Sequence, residues 1–346
     1  MANKPSWIPR FPARTGTRTL AFTDLPCDPD IARRMIAAIG RNGAVHRLGD
    51  VSDEATSARF FRFVDNDGAS LFVKLIPASH APWQTAANAV ARFVLQAGVG
   101  ASVILEGFPR SIDADTALCA SPFVKGRHPT AEPAELFALG AAIARLHGAL
   151  AVCPDGSAIR AAAVARKATL VARLEAVTSQ TAGQCRIPYA VRALCARHLD
   201  RFLQSSPQDQ VVHGDLNPGN ILVDERGGVV FLDFEEAVVT WASPTIDLAF
   251  AIERLILLEI QDDAMALTCA RALLAGHVQA GGQIGSSRDW LRESLRNLVM
   301  RSAAIMCEAE VKGMPWPASE WQKFANLAEM QTARADLIQA IGASRF

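Results

Sequence analysis

The chain of 346 residues has a single tyrosine, Tyr189, and its lysines are confined to Lys4, Lys74, Lys125, Lys167, Lys312 and Lys323. Neither sign of charge is in excess: 35 basic and 35 acidic residues give a formal net charge of zero. That balance argues against a nucleic-acid partner and against a polybasic membrane patch. The seven cysteines, Cys27, Cys119, Cys153, Cys185, Cys195, Cys269 and Cys307, never stand in a C-x-x-C pair. An odd, scattered set reads as reduced thiols of a cytoplasmic protein rather than as a disulfide framework or a metal knot. Long apolar runs are missing too. The greasiest stretch, residues 248–260, is interrupted by Glu253 and Arg254, so no membrane span is expected. Residues 1–19 are polar and basic and have no apolar stretch of the kind a secretory signal needs.

What is present is enough apolar material for a large core, 50% of the residues, on a chain longer than one average domain. Residues 28–39 read as a short helix with Asp28 as its N-cap. Short β-rich runs follow at 45–48, 60–64 and 71–75, with Asn66-Asp67-Gly68 as a turn. Residues 86–97 have helical spacing and stop at Gly98. Two more apolar segments, 102–106 and 117–124, are expected to complete a small antiparallel sheet. After Gly126 the pattern is helical at 133–150, 159–178, 189–203, 247–258, 263–280, 288–308 and 318–341. The expectation is therefore an α+β chain: an extension over residues 1–24, a β-rich lobe over 25–123 and a helical lobe over 124–346. A ligand site at the junction of two such lobes is the usual arrangement.

Most of the chemistry is concentrated in Val211-Val-His-Gly-Asp-Leu-Asn-Pro-Gly-Asn-Ile-Leu-Val223 and Val229-Val-Phe-Leu-Asp-Phe-Glu235. Apolar β-branched runs flank a loop bearing His213, Asp215 and Asn220, and a further run delivers Asp233. Each such polar group costs desolvation energy if buried without a partner, so a cluster of them implies a site. A carboxylate, an amide five residues later and a second carboxylate suit phosphoryl transfer. That reaction needs one group to orient the attacking hydroxyl and hard oxygen ligands for a metal on the nucleotide phosphates. Taken singly, Asp215 also reads as an Asx-turn residue and Asn220 as part of the turn at Pro218-Gly219.

His213-Gly-Asp215, Asn220 and Leu232-Asp-Phe-Glu235 together resemble the aminoglycoside phosphotransferase and choline kinase family, whose fold is two-lobed and protein-kinase-like. The resemblance implies a small-molecule kinase using ATP or GTP with Mg²⁺. Asp215 would position the acceptor hydroxyl, Asn220 and Asp233 would hold the metal, and His213 and Asp247 would support the loop. Lys74, inside Leu71-Phe-Val-Lys-Leu-Ile76, stands where the family's strand lysine pairs with nucleotide phosphates. Ser121-Pro-Phe-Val124 resembles the linker whose backbone meets adenine, which makes Pro122, Phe123 and Val124 nucleotide contacts. Leu146-His147 is also typical of family members. Backbone around Ser52 and Ser57 would cover the phosphates, in a segment with one glycine and several acidic residues.

Two features depart from the pattern: that glycine-poor turn, and the helix after Lys74, which lacks the glutamate that pairs with the lysine. Gln84 and Asn88 fall nearest the vacancy, and an amide supplies no countercharge. These departures motivate a rival reading, a nucleotide-binding pseudokinase or regulatory module. A protein kinase is disfavoured by the absence of an Ala-Pro-Glu segment after Asp233. For the acceptor, Trp241 is the aromatic candidate for stacking, and Glu235, Glu308, Glu236, Glu253 and Glu310 are candidates for holding a cation. The partner expected is a small hydroxyl-bearing molecule, an amino sugar, sugar, aminoglycoside or amino alcohol.

Overall fold

The computed structural model describes residues 23–49, 60–179, 187–311 and 318–346; Ser52 and Ser57 lie outside them. Contacts divide the chain into two units. Of the described residues, one unit is strand-rich and holds those within 16–129 and 218–238; the other is helical and holds those within 130–217 and 239–346.

In the strand-rich unit, β1 (Thr23–Leu25), helix α1 (Pro29–Ile39), β2 (Gly43–Gly49), β3 (Phe60–Asp65) and β4 (Ser70–Pro77) precede helix α2 (Ala81–Gln96). Asp28 caps α1 by accepting the Asp30 and Ile31 N–H groups at 2.8 and 3.1 Å. After α2 come β5 (Gly100–Ala101), β6 (Arg110–Ser111), β7 (Thr116–Pro122) and β8 (Gly126–Arg127). The main sheet is antiparallel in the order β1-β2-β3-β4-β7-β6. Its side chains alternate between faces. Phe61 and Phe63 of β3, Leu71 and Val73 of β4, and Leu118 and Ala120 of β7 close one core with Met35 and Ile39 of α1.

A second, smaller sheet corrects two expectations. Residues 102–106 form no strand; the chain instead contributes β5, parallel to β11 (Val229–Phe231). That strand pairs antiparallel with β10 (Ile221–Asp224), which pairs with β8. Because the 221–231 hairpin completes its ladder on strands from the first third of the chain, residues 218–238 belong to the strand-rich unit, which also runs on to Pro129. The expected boundary at 123/124 had placed the whole polar loop in the helical lobe.

The helical unit begins with α3 (Pro133–Ala151), α4 (Gly156–Ser179), α5 (Tyr189–His198) and the short strand β9 (Gln210–Val211). It continues with β12 (Trp241–Ala242), α6 (Thr245–Ile252), α7 (Asp263–Gln279), α8 (Trp290–Val311), α9 (Ala318–Ala333) and α10 (Ala335–Gly342). By length and composition α3 could cross a membrane. It is a core helix: Leu136, Leu139, Ile143, Leu146 and Leu150 are buried. Its axis lies against α7 so closely that a Cβ on Gly140 would sit 1.9 Å from the Leu273 carbonyl, and one on Gly276 1.9 Å from that of Phe137. Residues 247–258 do not run as one helix, since α6 passes into a π turn over Glu253–Leu257. The long C-terminal helix expected at 318–341 breaks at Arg334, whose guanidinium donates to the Leu257 and Ile260 carbonyls at 2.6 and 2.9 Å. Satisfying those helix-end acceptors fixes the break.

Candidate functional site

Alternation along the main sheet leaves Phe60, Phe72, Lys74, Cys119 and Ser121 on the face opposite the α1 core, with Lys74 opposite Phe60 and Cys119 in register. On that face a cavity of about 280 Å³ opens within the strand-rich unit. Its walls add Pro122, Phe123 and Val124 after β7, Gln84, Ala87, Asn88 and Ala91 from one side of α2, and Asn220, Leu222, Leu232 and Asp233 around the hairpin. Phe60 and Phe72 stack at 5.8 Å between ring centroids, an apolar wall. The Phe123 N–H is committed to the Ser70 carbonyl at 3.0 Å.

Lys74 pairs with Glu235 and lies 3.4 Å from an Asp233 oxygen. Burial works against its charge, but the carboxylates of Asp233 and Glu235 outweigh that and hold the ammonium above the ordinary lysine value. Gln84, buried on α2, donates its amide to the same Glu235 oxygen. The countercharge that α2 lacks thus comes from the loop after β11, and Gln84 braces it from the helix. Glu235, expected at the acceptor, is engaged here instead. Asn88 does different work: its side chain brackets Ile104, accepting that residue's N–H at 2.7 Å and donating to its carbonyl at 3.2 Å.

Asp233 was expected at a strand end. It sits two residues beyond β11 in left-handed backbone, φ 54°. Such a residue is held at a cost of roughly 1–3 kcal/mol by its surroundings, and aspartate tolerates it better than most. The carbonyl of Asn220 accepts the Leu232 N–H at 2.9 Å, tying the Asn220 turn to the segment that carries Asp233. Both side chains line the same cavity and offer hard oxygen donors. They fit Mg²⁺, which takes one or two protein side chains and fills its shell with phosphate and water. Among the described residues no group of three His, Cys, Asp or Glu side chains forms a denser metal site. Burial pushes the Cys119 thiol up to about 12, so it stays protonated in the cavity wall.

The helical unit carries the other half of the motif. Asp247, in the first turn of α6, is fully buried and caps the loop rather than its own helix. It accepts the His213 and Gly214 N–H groups, each at 2.9 Å, and a bond from His147 Nε2 at 3.0 Å. Burial alone would raise its pKa; the bond and charge of His147, with His213 and the Gly214 amide, bring it below the usual carboxylate range. From the opposite direction Arg301 donates to the Gly214 carbonyl and, at 3.1 Å, to the Thr240 hydroxyl. Gly214 has φ 79°, a conformation that side chains resist. The backbone immediately before Asp215 is therefore held on both its donor and acceptor sides. Asp215 itself accepts from the Asn217 amide at 3.0 Å, and its N–H lies 3.4 Å from His213 Nδ1.

Sequence reasoning missed Arg301. The only sign was an arginine in the middle of an apolar stretch of α8, where it is 7% exposed. The acceptor candidates separate. Trp241 pairs through β12 with Val211 and takes the Arg160 guanidinium over its ring at 5.6 Å. Glu253 is buried against Arg254 and Gln331, which removes it from any ligand surface. Glu310 is bonded to the Trp321 indole N–H at 3.0 Å. Glu308 lies half-buried on α8.

A model of the phosphotransferase enzyme family matches residues 51–291. No curated protein matches the chain in sequence. Among solved structures, the amicoumacin kinase hAmiN in complex with AMP-PNP, Ca²⁺ and Ami is 17% identical with a TM-score of 0.62, covering 89% of this chain and 94% of that one. The macrolide 2'-phosphotransferase MphH from Brachybacterium faecium, an apoenzyme, is 17% identical with a TM-score of 0.54, covering 86% and 97%. The spectinomycin phosphotransferase APH(9)-Ia, in complex with ADP and spectinomycin, is 13% identical with a TM-score of 0.54, covering 92% and 98%. At such identities the likeness is one of fold: a β-rich first part and a helical second part of the kinase kind.

Proposed function

The chain belongs to the phosphotransferase enzyme family, and from that premise we propose that it transfers the γ-phosphoryl of ATP or GTP, with Mg²⁺, to a hydroxyl of a small molecule. The observation that carries this reading is the cavity of the strand-rich unit, where Lys74, Asn220 and Asp233 meet beside an apolar wall. Phe60, Phe72 and the 122–124 segment suit a flat base, and Lys74 suits the phosphates. Mg²⁺, held by Asp233 and Asn220, would neutralise charge on the nucleotide phosphates. Asp215 would accept the hydroxyl proton as the acceptor oxygen bonds to the γ-phosphorus and the bond to the β-phosphate oxygen breaks. A carboxylate suffices because the reaction asks for positioning more than base strength. His213, Asp247 and Arg301 act on Asp215 through the backbone and are positioning residues. The rival pseudokinase reading rested partly on the missing helix glutamate, and Glu235 fills that role from another element.

Asp215→Asn tests the assignment. Turnover should fall ~10²–10⁴-fold, the usual worth of a general base, while calorimetry detects unchanged Mg²⁺–nucleotide binding. Full activity in that variant removes Asp215 from the chemistry. Tight nucleotide binding by the unaltered protein, with no transfer to any alcohol across amino sugars, sugars, aminoglycosides and amino alcohols, favours the pseudokinase.

A further inference from the structure

A second cavity, of about 160 Å³, lies wholly within the helical unit. From α4 it is lined by Arg160, Ala163, Val164 and Lys167, at i, i+3, i+4 and i+7 and hence on one side of that helix, and also by Arg166 and Leu170. Trp241 lines it as well, with the Arg160 guanidinium over its ring. Lys167 donates to the Leu203 carbonyl, a neutral acceptor. Arg301 also lines this cavity and reaches the Gly214 carbonyl, so the space abuts the loop that presents Asp215. Among the described lining residues Asp209 is the single carboxylate. It is half-buried and accepts the Ser206 N–H at 2.9 Å. Burial raises its pKa against the Ser206 amide, Lys167 and Arg160, which all favour the carboxylate.

A polycationic acceptor entering this space would meet like charge. Three of the five glutamates expected to receive a cation are used elsewhere, Glu235 by Lys74, Glu253 inside the π turn and Glu310 by Trp321, and neither Glu236 nor Glu308 lines this cavity. We infer that the acceptor carries a carboxylate or comparable fixed anion near its reacting hydroxyl, bound by Arg160 and Lys167 with its apolar face on Trp241. This deepens the phosphotransfer reading and rests on it. Arginine suits such a group because its planar donors match a carboxylate, and the aromatic ring beneath keeps the guanidinium in place.

The test uses the full chain with three hexoses of similar size and different charge: glucuronate, glucose and glucosamine. Binding is followed by calorimetry and transfer by ADP release with Mg²⁺–ATP. Glucuronate should bind at least ~10-fold more tightly than glucosamine, with a preference that shrinks as salt is added. Arg160→Ala, at an exposed position on α4, should abolish that preference while leaving nucleotide affinity unchanged. Lys167→Met should do the same, and circular dichroism checks its fold because Lys167 also caps Leu203. Glucosamine binding equal to or tighter than glucuronate, no glucuronate binding at all, or a preference that survives both substitutions would overturn the inference. If transfer to glucosamine outruns transfer to glucuronate, the phosphotransfer reading stands and the anionic acceptor falls. If Mg²⁺–ATP does not bind but the glucuronate preference and its loss in Arg160→Ala are seen, the phosphotransfer reading falls and the anion site stands.

Discussion

Around Gly214 the helical unit commits fully buried groups to holding backbone, whereas around Lys74 the strand-rich unit leaves a knot of charges partly in solvent. Asp247 has no exposed surface and its carboxylate bonds to the loop and to His147. Lys74, Glu235 and Asp233 retain 22%, 29% and 39% of their side-chain exposure and bond mainly to one another. Geometry that must not vary is built from buried, directional bonds, because breaking one strands a polar group without water. Charges that must give way to a ligand are kept where solvent lowers the cost of rearrangement.

The comparison breaks most visibly at Asp247. Asp247→Ala should destabilise the protein by roughly 3–5 kcal/mol, since it leaves two buried N–H groups and His147 without their acceptor. Glu235→Ala should cost less, roughly 1 kcal/mol, since the pair is partly exposed and Lys74 keeps Asp233 as a partner. Urea denaturation of both variants decides the matter, and equal losses would show the contrast to be false.

A smaller effect is expected from the other side of the clamp. His277, on α7 with its ring edge-on to that of His147 at 5.5 Å, is buried, and burial lowers its pKa to about 4. Below pH 6.5 the unfolded chain binds a proton that the folded core still refuses, so stability must fall as pH drops from 6.5 towards 4. Over that window the loss should total roughly 3 kcal/mol and level off below it. Thermal melts against pH should show the slope, and His277→Gln should flatten it. A slope unchanged in the variant would place its origin elsewhere.

A change in activity rather than stability sharpens the picture at Lys74. Under the phosphotransfer reading, Glu235→Gln should lower kcat/KM for nucleotide about tenfold, the equivalent of 1.4 kcal/mol, with little change in melting temperature. Adding Gln84→Glu restores a carboxylate beside Lys74 from α2, so the double variant should recover most of the loss. Failure of that rescue would mean that Glu235 acts on something other than the lysine.

Much of this was readable beforehand where the signal is local. The Asp28 cap precedes its helix by one residue, and the strands around Lys74 alternate every second residue, so both were expected close to where they lie. The order His213, Asp215, Asn220, Asp233 was legible for the same reason. The partner of Lys74 was not, because Glu235 is 161 residues away and helical spacing could not choose between Gln84 and Asn88. Nor did the pattern show that residues 218–238 would leave the helices and pair with β5 and β8, since hairpins carry no mark of the strands they will join. The break at Arg334 depends likewise on carbonyls at the end of the π turn and just beyond it.

By itself the sequence determined the element types, the family and the set of chemical groups, because helix caps, apolar periods and a compact motif all act over a few residues. Tertiary structure alone decided which charge answers which: Glu235 rather than an α2 glutamate at Lys74, Arg301 behind Gly214, and Arg160 with Lys167 beside Trp241. The physical reason is that a charge's effect depends on its distance to others and on how much water it has lost, and neither quantity exists until the chain has folded.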